Sequence, residues 1–105
     1  MSNQTLGQQY YDACVKAAEK KNDAFRLKKL MERTLAECMI RSGEKTDSKQ
    51  KNKALLNQLY IDAESNYIVA QSQANVAQAE ADGLEVMFKC WQSEQATTRK
   101  EMKIR

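Results

Sequence analysis

Residues 56–91 read LNQLY IDAESNYIVA QSQANVAQAE ADGLEVMFKC W, and the fold class follows from this stretch. Apolar or small side chains recur at alternating steps of four and three: Leu56, Tyr60, Ala63, Tyr67, Ala70, Ala74, Ala77, Ala81, Leu84, Phe88 and Trp91, with no charge among them. That spacing draws one stripe along a long helix packed with heptad geometry against other helices. Its centre, Ala70, Ala74, Ala77 and Ala81, lets another backbone approach closely, and the bulk sits at the two ends. The stripe is expected to be the seam of an oligomer. A neighbouring stripe holds Leu55, Leu59, Val69, Val76, Met87 and Cys90. Two stripes on one helix call for three or more helices around each core, so self-association into a dimer or larger bundle is expected.

On the N-terminal side, Thr5 with Gln8 three residues on forms a capping pattern that starts a first helix near residue 5. Its apolar positions include Tyr10, Cys14, Ala17, Ala24, Leu27, Met31, Leu35 and Cys38. Arg41-Ser42-Gly43 supplies a basic last turn and a glycine suited to the left-handed conformation that ends helices. Asp47 with Gln50 restarts the helix by the same capping logic. The expected architecture is all-α: one long antiparallel hairpin, with helix 1 over about residues 5–42, a turn at 43–47 and helix 2 over about 48–103. With the turn centred near residue 45, residue i faces residue 91 minus i, and Leu6 meets Glu85. Helix 2 then overhangs from that point, leaving Met87, Phe88, Cys90 and Trp91 for an outside partner.

Composition narrows the chemistry. The 105 residues carry no proline, three glycines and a net charge of +3, which favours helix almost everywhere and sets up no strong global field. The absence of histidine removes the commonest general base and metal ligand. Cys14, Cys38 and Cys90 stand singly, without a CxxC pair, and are expected to be buried free thiols. No glycine-rich phosphate loop or nucleophile elbow is present. Neither catalysis, a metal nor a cofactor is expected. No apolar run approaches the roughly 20 residues of a membrane span, and no secretion signal opens the chain. A cytoplasmic protein without membrane contact is the expectation.

Charge is sorted along the chain. From Ala54 to Phe88 there is no Lys or Arg, while Asp62, Glu64, Glu80, Asp82 and Glu85 are present. Lys16, Lys20, Lys21, Arg26, Lys28, Lys29 and Arg33 of helix 1 are expected to pair with that acidic stretch. Two basic groups remain: Lys45, Lys49, Lys51 and Lys53 around the turn, and Arg99, Lys100, Lys103 and Arg105 near the C-terminus. Trp91 has two readings, an interface core residue or a stacking aromatic aided by Arg99 and Lys100.

The segment WQSEQATTRKEM, residues 91–102, resembles the closing segment of small helical proteins encoded by phages and prophages. In size and helix content the chain is also similar to phage recombination mediators of the UvsY type, which are oligomeric and bind single-stranded DNA. Three functions follow as expectations. The first is an oligomeric accessory protein that binds single-stranded nucleic acid in phage recombination or replication, through basic ends and a stacking aromatic. The second is an inhibitor or adaptor that docks its overhanging helix on a host or phage enzyme. The third is a structural coiled-coil subunit without a ligand.

Overall fold

A computed structural model describes residues 5–104, with side chains as far as residue 101. The described residues form three helices, α1 Leu6–Arg41, α2 Asp47–Leu55 and α3 Gln58–Ile104, and contain no strand. The fold class is all-α, with α1 packed against α3 in a hairpin-like arrangement.

Local chemistry sets each boundary. Thr5 Oγ1 accepts a hydrogen bond from the Gln8 amide at 3.1 Å, satisfying one of the unpaired donors at the start of α1. At the other end Gly43 takes φ +75°, the left-handed conformation that costs a glycine nothing. The Ser42 hydroxyl donates to the Met39 carbonyl at 2.7 Å and accepts from the Glu44 amide at 3.2 Å. The cap of α2 is Thr46, one residue before the expected Asp47. Thr46 is extended, and its hydroxyl accepts from the Lys49 amide. Asp47 instead lies in the first turn, where its charge suits the helix dipole. The Gln50 side-chain amide does not close a capping box but donates to the Glu44 carbonyl at 2.9 Å.

The expected continuous second helix is broken at Leu56 and Asn57. The amides of Leu56 and Asn57 donate to the carbonyls of Lys53 and Ala54 at 3.2 and 3.0 Å, the tightened bonds of a helix end. Asn57 then caps α3, its side-chain oxygen accepting from the Leu59 amide at 2.9 Å. An asparagine that bonds its own backbone offers an alternative to the helical ladder, and here that alternative wins. Leu56, expected as the first seam position, is consequently 80% exposed.

The chain divides into two compact units, Glu19–Ala74, and Met1–Ala18 with Asn75–Arg105. Within the first, Ala24, Ala70 and Ala74 form one core cluster, flanked by Leu27 and Tyr67. Cys38, Ala54 and Tyr60 form another, joined by Met31, Leu35 and Met39 where all three helices meet. Within the second unit, Ala17 lies against Ala77 and Ala81, with Ala13 beside them. The alanines thus do set a close helix approach, but against α1 of the same chain, so this part of the stripe is already covered before any second copy arrives. Ala63, Tyr67, Leu84 and Phe88 are half-buried, and Trp91, at 47%, is exposed.

Pairing is displaced from the expected register. Ala17 faces Ala77 and Ala81, whereas a turn centred at residue 45 would have put it opposite Ala74. The cause is the corner, which uses α2 and the Leu56–Asn57 break before α3 begins. In the second unit α1 therefore covers α3 as far as Phe88, beside Gly7, and the overhang does not begin at Glu85. The thiols also differ from expectation: Cys38 is buried, but Cys14 and Cys90 are exposed. Cys14 is displaced from the interface by Ala13 and Ala17, and Cys90 belongs to the neighbouring stripe. All members of that stripe, Leu55, Leu59, Val69, Val76, Met87 and Cys90, are exposed.

Charge pairing across the helices includes Lys16 to Glu80 at 3.7 Å, with both side chains more than half exposed. An ion pair so open to solvent contributes little. Gly83 does not interrupt α3. It costs that helix about 1 kcal/mol against alanine, although a Cβ there would meet nothing within 4 Å.

Because Ala74 is 1% exposed within an alanine cluster, Ala74→Leu should force the helices apart. A loss of about 1–3 kcal/mol is expected. Urea unfolding at an unchanged midpoint would show that alanine does not set the helix separation.

Candidate functional site

The described residues hold no group of three His, Cys, Asp or Glu side chains arranged to take a metal ion. The chemistry is aromatic and basic instead, and it gathers in the second unit where the start of α1 meets α3.

The Thr5 cap fixes the first turn of α1 and places Gly7 against Phe88. A Cβ on Gly7 would lie 3.1 Å from Phe88 Cε2, so a side chain there would push the ring away. Tyr10 stacks on Phe88 with ring centroids 6.1 Å apart, and Phe88 stacks on Trp91 at 6.0 Å with planes 21° apart. Offset aromatic pairs at these separations attract beyond their buried area. Three rings therefore form a column whose last member is half open to solvent.

Trp91 has a concavity on each side. One is an apolar cavity of about 480 Å³ lined by Thr5, Leu6, Gly7 and Phe88 as well as Trp91. The other is a groove of about 240 Å³ along α3, lined by Trp91, Gln92, Gln95, Ala96 and Arg99. The groove thus offers a ring face, two amides and a guanidinium within two turns of one helix. Lys100 is exposed on the next position.

Hydrogen bonds around the column hold protons in place. The Tyr10 phenol is shifted above its ordinary range, first by its hydrogen bond with Cys14 and then by desolvation. Lys89, 2.7 Å from Glu85, is raised by that charge-assisted bond. Both groups therefore keep their neutral-pH charge states well into the alkaline range.

The remaining expected contact residues fall as follows. Lys45, Lys49 and Lys51 are exposed around α2 in the first unit. Lys53 is already engaged, since its ammonium donates to the Ser42 carbonyl at 2.7 Å and closes the end of α1. The Lys103 side chain and Arg105 lie outside the described residues. Gly7, Leu6 and Thr5 were not expected at the site, because the expected register sets Leu6 opposite Glu85, whereas Gly7 lies against Phe88. Gly7 immediately after a helix cap was the signal available for them.

Compared with protein-family models, with curated proteins and with solved structures, the chain finds no match in any of the three.

Proposed function

We propose that this chain is a non-enzymatic, self-associating helical accessory protein of the cytoplasm that binds single-stranded nucleic acid at the Trp91 end. The observation that carries the reading is the aromatic column Tyr10–Phe88–Trp91 opening onto a groove shared with Arg99. A base laid on the exposed face of Trp91 would stack without regard to its identity. Arg99 and Lys100 neutralise the adjoining phosphates, and Lys45, Lys49 and Lys51 add positive charge of the same kind from the first unit. Repetition of these groups by self-association makes up for a net charge of only +3. The likeness of residues 91–102 to phage-encoded helical proteins suggests phage recombination or replication as the setting.

The apolar cavity behind Trp91 favours a second reading, in which it receives a side chain of a protein partner, such as a host or phage enzyme. Salt separates the two. Trp91 is the single tryptophan, so its fluorescence reports directly on the site. Titration with oligo(dT) should quench it with an affinity that falls with salt, by about 0.7 in log K per log unit for each phosphate neutralised. Two contacts then give about a sevenfold loss between about 50 and 200 mM salt. Absence of quenching at low salt would remove the nucleic-acid reading.

A further inference from the structure

We propose that the groove between α1 and α3 lined by Lys21, Phe25, Lys28, Tyr67 and Gln71 is a second subsite for single-stranded nucleic acid, which takes one nucleotide. The base lies against the Phe25 ring, and the phosphates on either side of it meet Lys21 and Lys28. The inference rests on the nucleic-acid reading above and adds to it a site in the other compact unit.

Three observations meet in this groove, which encloses about 230 Å³ and lies wholly within the unit Glu19–Ala74. The first is charge. That unit carries 11 basic and 8 acidic residues and the rest of the chain six of each, so the whole net charge of +3 resides here. Lys21 and Lys28 are exposed, and neither makes an ion pair among the described residues. The acidic partners expected for them are missing, because α3 has no charged residue from Ser65 to Ala74, the stretch that meets α1 at Ala24. Glu32 is drawn to Lys29 at 3.6 Å, and Asp23 lines a different groove, with Arg26 and Leu27. Two ammonium groups thus stand in the wall of one concavity whose lining holds no carboxylate.

The second observation is the ring between them. Phe25 follows Lys21 by four residues and precedes Lys28 by three, so all three share one face of α1. Phe25 is 60% exposed, and Lys29 stands over its ring, 5.3 Å from the centroid, in a cation–π contact that holds the ring in place. The third is the opposite wall. Tyr67 and Gln71, one turn apart on α3, add a second ring and an amide across the buried Ala24. Ring, amide and cation are also the groups found beside Trp91, where Gln95 and Arg99 line the groove with the indole. Together they name the occupant. An acidic peptide would use the lysines but not an exposed ring, whereas a nucleotide within a strand presents a π-face between two phosphates.

Fluorescence tests the groove on the full chain, with the tryptophan moved into it. In Trp91→Phe/Phe25→Trp, which alters only exposed side chains, a short oligo(dT) should quench the emission. Its affinity should fall by about 1.4 in log K per log unit of salt, or about 0.7 for each of two phosphates. Adding Lys21→Gln/Lys28→Gln should remove most of that slope. A second readout leaves the native tryptophan in place. Phe25→Ala should lose about 5- to 150-fold in affinity at the groove, so that anisotropy of a labelled short strand shows one strand bound tightly per chain instead of two. Quenching at Trp91 in the native chain, with none at position 25 and one strand bound per chain, overturns this subsite alone. Absence of quenching at both positions overturns the nucleic-acid reading with it. Quenching at position 25 by poly-glutamate as strong as by oligo(dT) assigns the groove to an acidic protein and overturns its assignment to a nucleotide.

Discussion

Tyr60→Ala is expected to cost about 3 kcal/mol, a large share of the 5–15 kcal/mol that holds a domain together. Tyr60 is 8% exposed and is the largest side chain in the cluster of Cys38 and Ala54, where the three helices meet. The rest of the buried core is mostly alanine, so no neighbour of similar volume can close the resulting void. The urea midpoint should fall by about 3 M, taking m at the low end of its usual range. Tyr60→Phe separates packing from the hydrogen bond that the hydroxyl donates to Glu64 Oε2 at 2.9 Å, and should cost about 1 kcal/mol. The bond to Glu64, followed by desolvation, raises the Tyr60 pKa above 10.0. The folded state therefore favours the neutral phenol. Its stabilisation is complete below the unfolded pKa and disappears as pH rises through the raised folded value. The wild type should lose its advantage over Tyr60→Phe only at alkaline pH. An advantage that persisted unchanged above that range would assign the effect to packing alone.

Trp91→Ala is expected to weaken binding to oligo(dT) by about 1–3 kcal/mol, or roughly 5- to 150-fold, the contribution of one stacked base. The helix should survive, since Trp91 is exposed and lies at the end of the aromatic column. Trp91→Phe should recover much of the affinity, because a smaller ring still presents a face. Arg99→Glu should act differently, reducing affinity most at low salt and flattening the salt slope. Equal binding by Trp91→Ala and the wild type, measured by anisotropy of a labelled strand, would remove base stacking from the mechanism.

Much of this arrangement was legible in the residues. The four-three spacing from Tyr60 to Phe88 identified the face of α3 that meets another helix, and Thr5 and Gly43 marked the two ends of α1. The hairpin already set that face against α1 of the same chain, but an alanine stripe does not show that this one helix is enough to bury it. Asn57 hid the break before α3, since its neighbours Leu56 and Tyr60 preserve apolar spacing across a corner that the backbone does not continue through. That single break moved the register. It concealed the approach of Gly7 to Phe88 and made Phe88 look like part of an overhang. The basic residues were visible as types, but composition could not show that Lys53 is tied to the Ser42 carbonyl. Nor could it show that Trp91 is propped on two further rings.

The corner built by Ser42, α2 and Asn57 also bears on how quickly the chain folds. Cys38 and Ala54, which touch at the corner, are only 16 residues apart in sequence, whereas Ala17 and Ala81 are separated by 64. Closing a loop costs entropy that grows with its length, so contacts nearest the corner form most cheaply and shorten the loop for those beyond. Folding should then proceed like a zipper that starts at Ala54 and Tyr60 and runs outward along the alanines. Substitutions at the corner should slow folding, while those near Ala17, Ala77 and Ala81 should leave the folding rate almost unchanged and hasten unfolding.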